Sequence, residues 1–180
     1  MFLPKNQLLF SEVFLLIKLS QIIWPPRYEP ANSPVHVRNE LAIASPPETV
    51  WAWLIRVQLW PTWYPNSAKI KFLSGNPPDL GLGTQFRWKT FGVTSESKVL
   101  EFVPYERLAW DAHSTGLDAY HAWFIQKTEK GCNVVTEEVE HGWLARLAKA
   151  LRPNNLERKH QIWLEGLRDK AKSGLPPAIR

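Results

Sequence analysis

The sequence predicts an α+β domain in which an antiparallel meander of strands is covered on one face by a C-terminal helix. Three observations carry this prediction. Seven short runs between Val35 and Glu140 have strand character, joined by connections short enough for hairpins. A single helix-start signal, SPPETVWAWL from Ser45, interrupts them after the first run. From Trp143 onward the apolar residues switch to helical spacing, which supplies a cover for one face of the sheet.

The elements follow in order. Leu8 to Trp24 is strongly apolar, but Glu12 and Lys18 leave too short a run for a bilayer span, and no small-x-small cleavage site follows. We expect a helix there that packs on the domain or on a partner, through a homodimer or peripheral membrane contact of residues 8–24. Pro25-Pro26 ends it, and Tyr28 to Pro34 reads as a linker. The expected organisation is therefore an N-terminal segment and linker (1–33), a domain (34–174) and a short tail (175–180).

Within the domain, Val35, Val37, Leu41 and Ile43 alternate with polar or small residues, the signature of a half-buried strand. Ser45 then suits an N-cap, Pro46 the first helical position and Glu48 a capping-box carboxylate. Trp51, Trp53, Trp60, Trp63 and Tyr64 crowd the next stretch, and rings of this size must be buried or line something. Strands follow near 68–73, 84–91, 93–103, 107–113, 120–127 and 133–140. Leu144, Leu147 and Leu151 begin the helical spacing, and Leu156, His160, Trp163, Leu167 and Ala171 continue it. Pro153 lies between the two runs and must kink the helix or start a second one.

Composition narrows the functional classes. Cys132 is the single cysteine, which excludes an intrachain disulfide and a metal site built on paired cysteines. The net charge of +5 is concentrated after Trp143, where nine Lys/Arg face three acidic residues. We read that charge as the solvated face of an amphipathic helix, because nothing resembling a nucleic-acid module accompanies it. No GxSxG, HExxH or P-loop pattern occurs. The expected location is the cytoplasm, with no cofactor and no nucleic-acid partner.

The chain resembles the START-like superfamily, and within it the polyketide cyclase/dehydrase or SRPBCC group. The resemblance spans about Val35 to Gly174 and rests on SPPETVWAWL with WPTWYP, GLGTQFRWK, SKVLEFVPYERLAW, HAWFIQKTEKGCNVVTEE and LEGLRDKAK, in that order. It implies a helix-grip fold, a seven-stranded antiparallel sheet curled around the last helix with a ligand cavity between them. The N-terminal segment and Pro153 depart from the pattern.

Strand parity sorts the candidate site residues. Phe86 and Trp88 share a face, as do Ser97, Val99 and Glu101, then Leu108, Trp110 and Ala112, then His121, Trp123 and Ile125. A hairpin pairing Trp110 with Trp123 buries both rings and points His121 inward; a register shifted by one pairs His113 with His121 instead. Glu138 faces inward by parity unless a bulge intervenes, and Glu101 is a rim residue or a partner of Arg107. His160 lies on the apolar face of the last helix, where it meets a ligand or bonds to the sheet. No two histidines stand at metal-ligand spacing on one element, so no metal site is expected.

The reading that follows is a domain binding a hydrophobic or amphipathic small molecule, lipid-like or polyketide-like, in an internal cavity. Trp60, Trp63, Phe86, Trp88, Val99, Trp110, Trp123, Trp163 and Leu167 are the expected walls. Tyr64, His121, His160 and Glu138 are the expected polar contacts. The alternative is a cyclase/dehydratase-type enzyme in which His121 transfers a proton, with Tyr64 and Glu138 as further catalytic candidates. A protein-interaction module is the third class.

Overall fold

The structure, a computed structural model, describes residues 22–178. Its elements are β1 (Val35–Ile43), α1 (Pro47–Ile55), a 3-10 segment (Val57–Thr62), β2 (Ala68–Ser74), β3 (Gln85–Thr90), β4 (Val93–Val103), β5 (Arg107–Ser114), β6 (Leu117–Thr128), β7 (Gly131–His141), α2 (Trp143–Leu151) and α3 (Asn155–Lys172). The seven strands form one antiparallel sheet in the order β1-β7-β6-β5-β4-β3-β2. Only the first strand lies out of sequence, since the chain leaves β1 for the helices and returns to pair β7 beside it. This is the helix-grip arrangement, with α3 across the concave face against β1 and α1.

Period-2 patterning decides which side chains enter the core. Phe86 and Trp88 of β3, Val99 of β4, Leu108 and Trp110 of β5, and Trp123 and Ile125 of β6 all point to the concave side. They meet Trp163, Leu164, Leu167 and Ala171, the buried stripe of α3. Gly166 lets α3 approach closely, because a Cβ there would lie 2.6 Å from the Trp63 carbonyl oxygen. Pro153 separates α2 from α3 instead of bending one continuous helix.

Three local expectations need correction. The helix after β1 starts at Pro47, not Pro46, and Ser45 does not cap it. The reason is the second proline: Pro47 drives Pro46 out of the helical region, to φ −57° and ψ 145°. Trp110 faces His121 rather than Trp123, which pairs with Leu108. The two-residue turn between Ser114 and Leu117, with Gly116 at φ 76°, fixes that register two residues from the expected one and preserves parity. Glu101 leaves the face of Val99, because the ladder slips between them and Glu101 pairs with Ala109. Its carboxylate accepts a 2.6 Å hydrogen bond from Arg107 Nε.

The convex face carries a second apolar cluster. Ala109, Tyr120, Ala122 and Val139 are covered there by Tyr28, with Ile22 and Trp24 packed alongside. Tyr28 stacks on Tyr120 at 5.3 Å and donates a 3.3 Å hydrogen bond to Asp118 Oδ1. The linker end is therefore part of the domain's packing. The expected N-terminal helix falls mostly on residues 1–21, outside the described residues. Among the described residues, no helix is long and apolar enough to cross a membrane.

Candidate functional site

The interior between sheet and helix is largely filled by aromatic rings. Trp60 lies 5.0 Å from Trp163 and 5.6 Å from Trp110, Tyr64 stacks on Trp163 at 4.3 Å, and Trp123 meets Trp163 at 5.1 Å. Trp60, Phe86, Val99, Trp110, Trp123 and Leu167, expected as cavity walls, thus sit in close-packed core, and Trp63 lies at its edge. The Tyr64 hydroxyl faces Asn66, whose Nδ2 donates to it at 2.9 Å.

Open space remains at one end of the sheet. An inner chamber of about 40 Å³ is bounded by Trp88, Ala119, His121, Glu138, Glu140 and Trp163. An outer vestibule of about 280 Å³ lies beneath α2 and the Pro153 break, walled by Leu144, Leu151 and Leu156, with Lys149 and Arg152 also lining it. Phe91, Val93, Leu117 and Glu140 line both spaces. The passage runs from the helix break past the β3–β4 hairpin to the buried acids of β7. Of the sequence-derived candidates, Trp88, His121, Glu138 and Trp163 border the chamber.

Glu138 and Glu140 alternate inward on β7, and His121 stands opposite Glu138 on β6. His121 Nδ1 lies 2.7 Å from Glu138 Oε2, and its Nε2 lies 2.7 Å from Thr136 Oγ1. The imidazole is sandwiched between Trp110 at 4.8 Å and Trp123 at 5.5 Å, both nearly parallel to it. His160, wholly buried on α3, brings Nε2 to 3.0 Å from the same Glu138 oxygen. The donor atoms of His121, Glu138 and His160 all lie within 4.8 Å of one another, so these three residues could hold a metal ion.

Burial sets opposite protonation states on these neighbours. It pushes the His121 imidazole down to about 4, against the opposing pull of Glu138. Burial also disfavours charge on Glu138, but the facing His121 and His160 outweigh it and hold that carboxyl below the ordinary carboxylate range. Glu140 gains no imidazole; burial and the adjacent Glu138 charge push it up to about 9, with Lys149 opposing. At neutral pH the site therefore holds an ionised Glu138, a neutral His121 and a protonated Glu140. The Glu140 proton is directed at Glu138, and the second Glu140 oxygen can accept a hydrogen bond from whatever enters the chamber.

Sequence reasoning did not single out Glu140, nor the vestibule residues Phe91, Val93, Leu117, Leu144 and Leu156. Two signals point to them: Glu140 continues the inward parity of Thr136 and Glu138, and Pro153 marks the break that leaves the vestibule open.

A family profile described as "Polyketide cyclase / dehydrase and lipid transport" matches residues 34–172. A hypothetical protein from Helicobacter pylori of known structure is 29% identical, with 84% of this chain and 96% of that one covered at a TM-score of 0.78. The ZhuI aromatase/cyclase from Streptomyces sp. R1128 shares the fold at 16% identity, covering 77% of this chain and 93% of its own, with a TM-score of 0.64. The di-domain aromatase/cyclase StfQ of steffimycin biosynthesis does so at 16% identity and a TM-score of 0.63, over 77% of this chain and 51% of its own. No curated protein matches the sequence.

Proposed function

We propose that this chain, which belongs to the polyketide cyclase / dehydrase and lipid transport family, binds a small amphipathic molecule in the vestibule under α2. One observation carries the reading: an apolar passage ends at a buried carboxylic acid. Leu144, Leu151, Leu156, Phe91 and Val93 suit an apolar or aromatic body, while the open Glu140 oxygen accepts from a ligand hydroxyl or carboxyl. The volume of about 280 Å³ lies at the small end of ligand pockets, which favours a compact ligand over a two-chain lipid. Lys149 and Arg152 at the mouth favour a ligand carrying an acidic group.

The cyclase/dehydratase alternative has less support. A proton-transferring His121 needs a ring nitrogen turned toward substrate, whereas Thr136 and Glu138 engage both nitrogens. Tyr64, the expected oxyanion contact, is stacked on Trp163 with its hydroxyl on Asn66.

Titration with alkyl carboxylic acids, flavonoids and aromatic polyketide mimics tests the reading. Trp88 and Trp163 border the chamber, so an occupant should change intrinsic fluorescence saturably. Val93→Trp, which fills the passage, should abolish the response. A flat response of the folded protein to every class contradicts the proposal.

A further inference from the structure

We propose that His121, Glu138 and His160 form a binding site for one divalent transition-metal ion of the zinc type. Two imidazole nitrogens and one carboxylate oxygen converge from three separate elements, β6, β7 and α3. That donor set suits zinc, cobalt, nickel or ferrous iron far better than magnesium or calcium, which take oxygen ligands. Two imidazoles, a carboxylate and one exchangeable position make a familiar zinc ligand set. The inner chamber touches both His121 and Glu138, so the remaining position is reached from the vestibule by water or by a ligand oxygen.

The surroundings hold the ligands as a metal site requires. The His121 ring is clamped between Trp110 and Trp123, and Thr136 Oγ1 at 2.7 Å fixes its far nitrogen. If Nε2 carries the hydrogen and donates it to Thr136, the lone pair on Nδ1 is aimed at the Glu138 side. His160 reaches the same point from the helix side. Its ring is fully buried, and Nδ1 has no hydrogen-bond partner; its hydrogen bonding rests on the Glu138 oxygen. That contact brings Nε2 to the Glu138 oxygen that His121 Nδ1 also approaches. With an ion inserted, Nε2 gains a coordinate bond in place of a shared carboxylate contact.

The spacing is compatible. Tetrahedral zinc with bonds of about 2.0–2.1 Å needs its ligand atoms about 3.3 Å apart. The 2.7 and 3.0 Å contacts to Glu138 must therefore open by about 0.3–0.6 Å, and the donor atoms as a set already lie within 4.8 Å of one another.

The test uses the full chain without any organic ligand. The protein is stripped with a chelator, incubated with Zn²⁺ or Co²⁺ and desalted. Metal per chain is then counted by plasma mass spectrometry, and the Co²⁺ form is examined for visible d–d absorption. The proposal predicts one ion per chain and a low-symmetry Co²⁺ spectrum. His160→Gln should lower affinity by at least about tenfold. Glu138→Gln serves as a second variant should His160→Gln fail to fold. His113→Gln, removing an exposed imidazole paired with Asp111 and Asp118, should leave the count unchanged. Less than a tenth of an ion in the wild type overturns the proposal, and so does equal binding by folded His160→Gln or Glu138→Gln. Loss of the ion in His113→Gln with retention in His160→Gln assigns it to the surface and also overturns it. Ligand binding in the vestibule is measured separately, so failure of either reading leaves the other standing.

Discussion

Replacing Glu140 by Gln should stabilise the protein progressively as the pH rises above neutrality. Glu140 ionises near 4.5 in an unfolded chain but near 9 in the fold. Between those values the unfolded state has lost a proton that the folded state keeps, so stability falls with rising pH, by up to about 1.4 kcal/mol per unit. His121 works the other way. Its pKa drops from 6.5 to about 4 on folding, so stability rises with pH across that window. The two contributions oppose each other between about pH 4.5 and 6.5 and leave a plateau. Above pH 6.5 only the Glu140 contribution remains.

Two pH units, from 6.5 to 8.5, give a ceiling of about 3 kcal/mol. Water reaching Glu140 through the vestibule reduces this to about 1–2 kcal/mol, or a fall in Tm of about 2–8 °C for a chain of this size. Gln keeps an N–H donor toward Glu138 without titrating, so Glu140→Gln should hold a flat profile over the same range. Thermal unfolding followed by circular dichroism, with urea titrations at pH 6.5, 7.5 and 8.5, reads both slopes. Parallel profiles for the two proteins would refute the assignment of a protonated Glu140.

Four further outcomes follow from the packing. Gly166→Ala should destabilise by about 1–3 kcal/mol, because its Cβ meets the Trp63 carbonyl at 2.6 Å; urea unfolding checks this. Trp163→Ala, which empties the centre of the aromatic cluster, should cost about 3–5 kcal/mol, with Trp163→Phe recovering part of it in the same assay. Thr136→Val strips His121 Nε2 of its partner and should cost about 1–3 kcal/mol, with Thr136→Ser close to wild type in thermal unfolding. Tyr28→Ala should lower stability by about 2–3 kcal/mol and raise binding of a hydrophobic dye, as the convex cluster around Tyr120 is uncovered.

Most of the fold was legible because alternation and helical spacing are local properties. The parity of Phe86, Trp88, Trp110, His121 and Trp123 could be read strand by strand, and Pro153 announced the α2–α3 break. What failed was set by backbone details with weak side-chain signatures. The ladder slip before Glu101 turned that residue outward, and the length of the Ser114–Leu117 turn placed Trp110 opposite His121. The site was legible only in part. Glu138 could be placed on the inner face, but its meeting with His160 depends on how α3 crosses the sheet, which no sequence spacing encodes. The aromatic residues were expected to wall a cavity, yet the rings pack against one another, and the inner chamber lies at the end near Glu140.

Native mass spectrometry of the freshly purified chain, compared with Val93→Trp, reads occupancy of the vestibule. Val93 lines both the vestibule and the inner chamber, and its enlargement closes the passage between them. The wild type should carry or take up one small amphipathic molecule per chain, and Val93→Trp, folded equally well, should carry none. Equal occupancy in both proteins, or no uptake by the wild type from a mixture of acyl and aromatic acids, would contradict this reading.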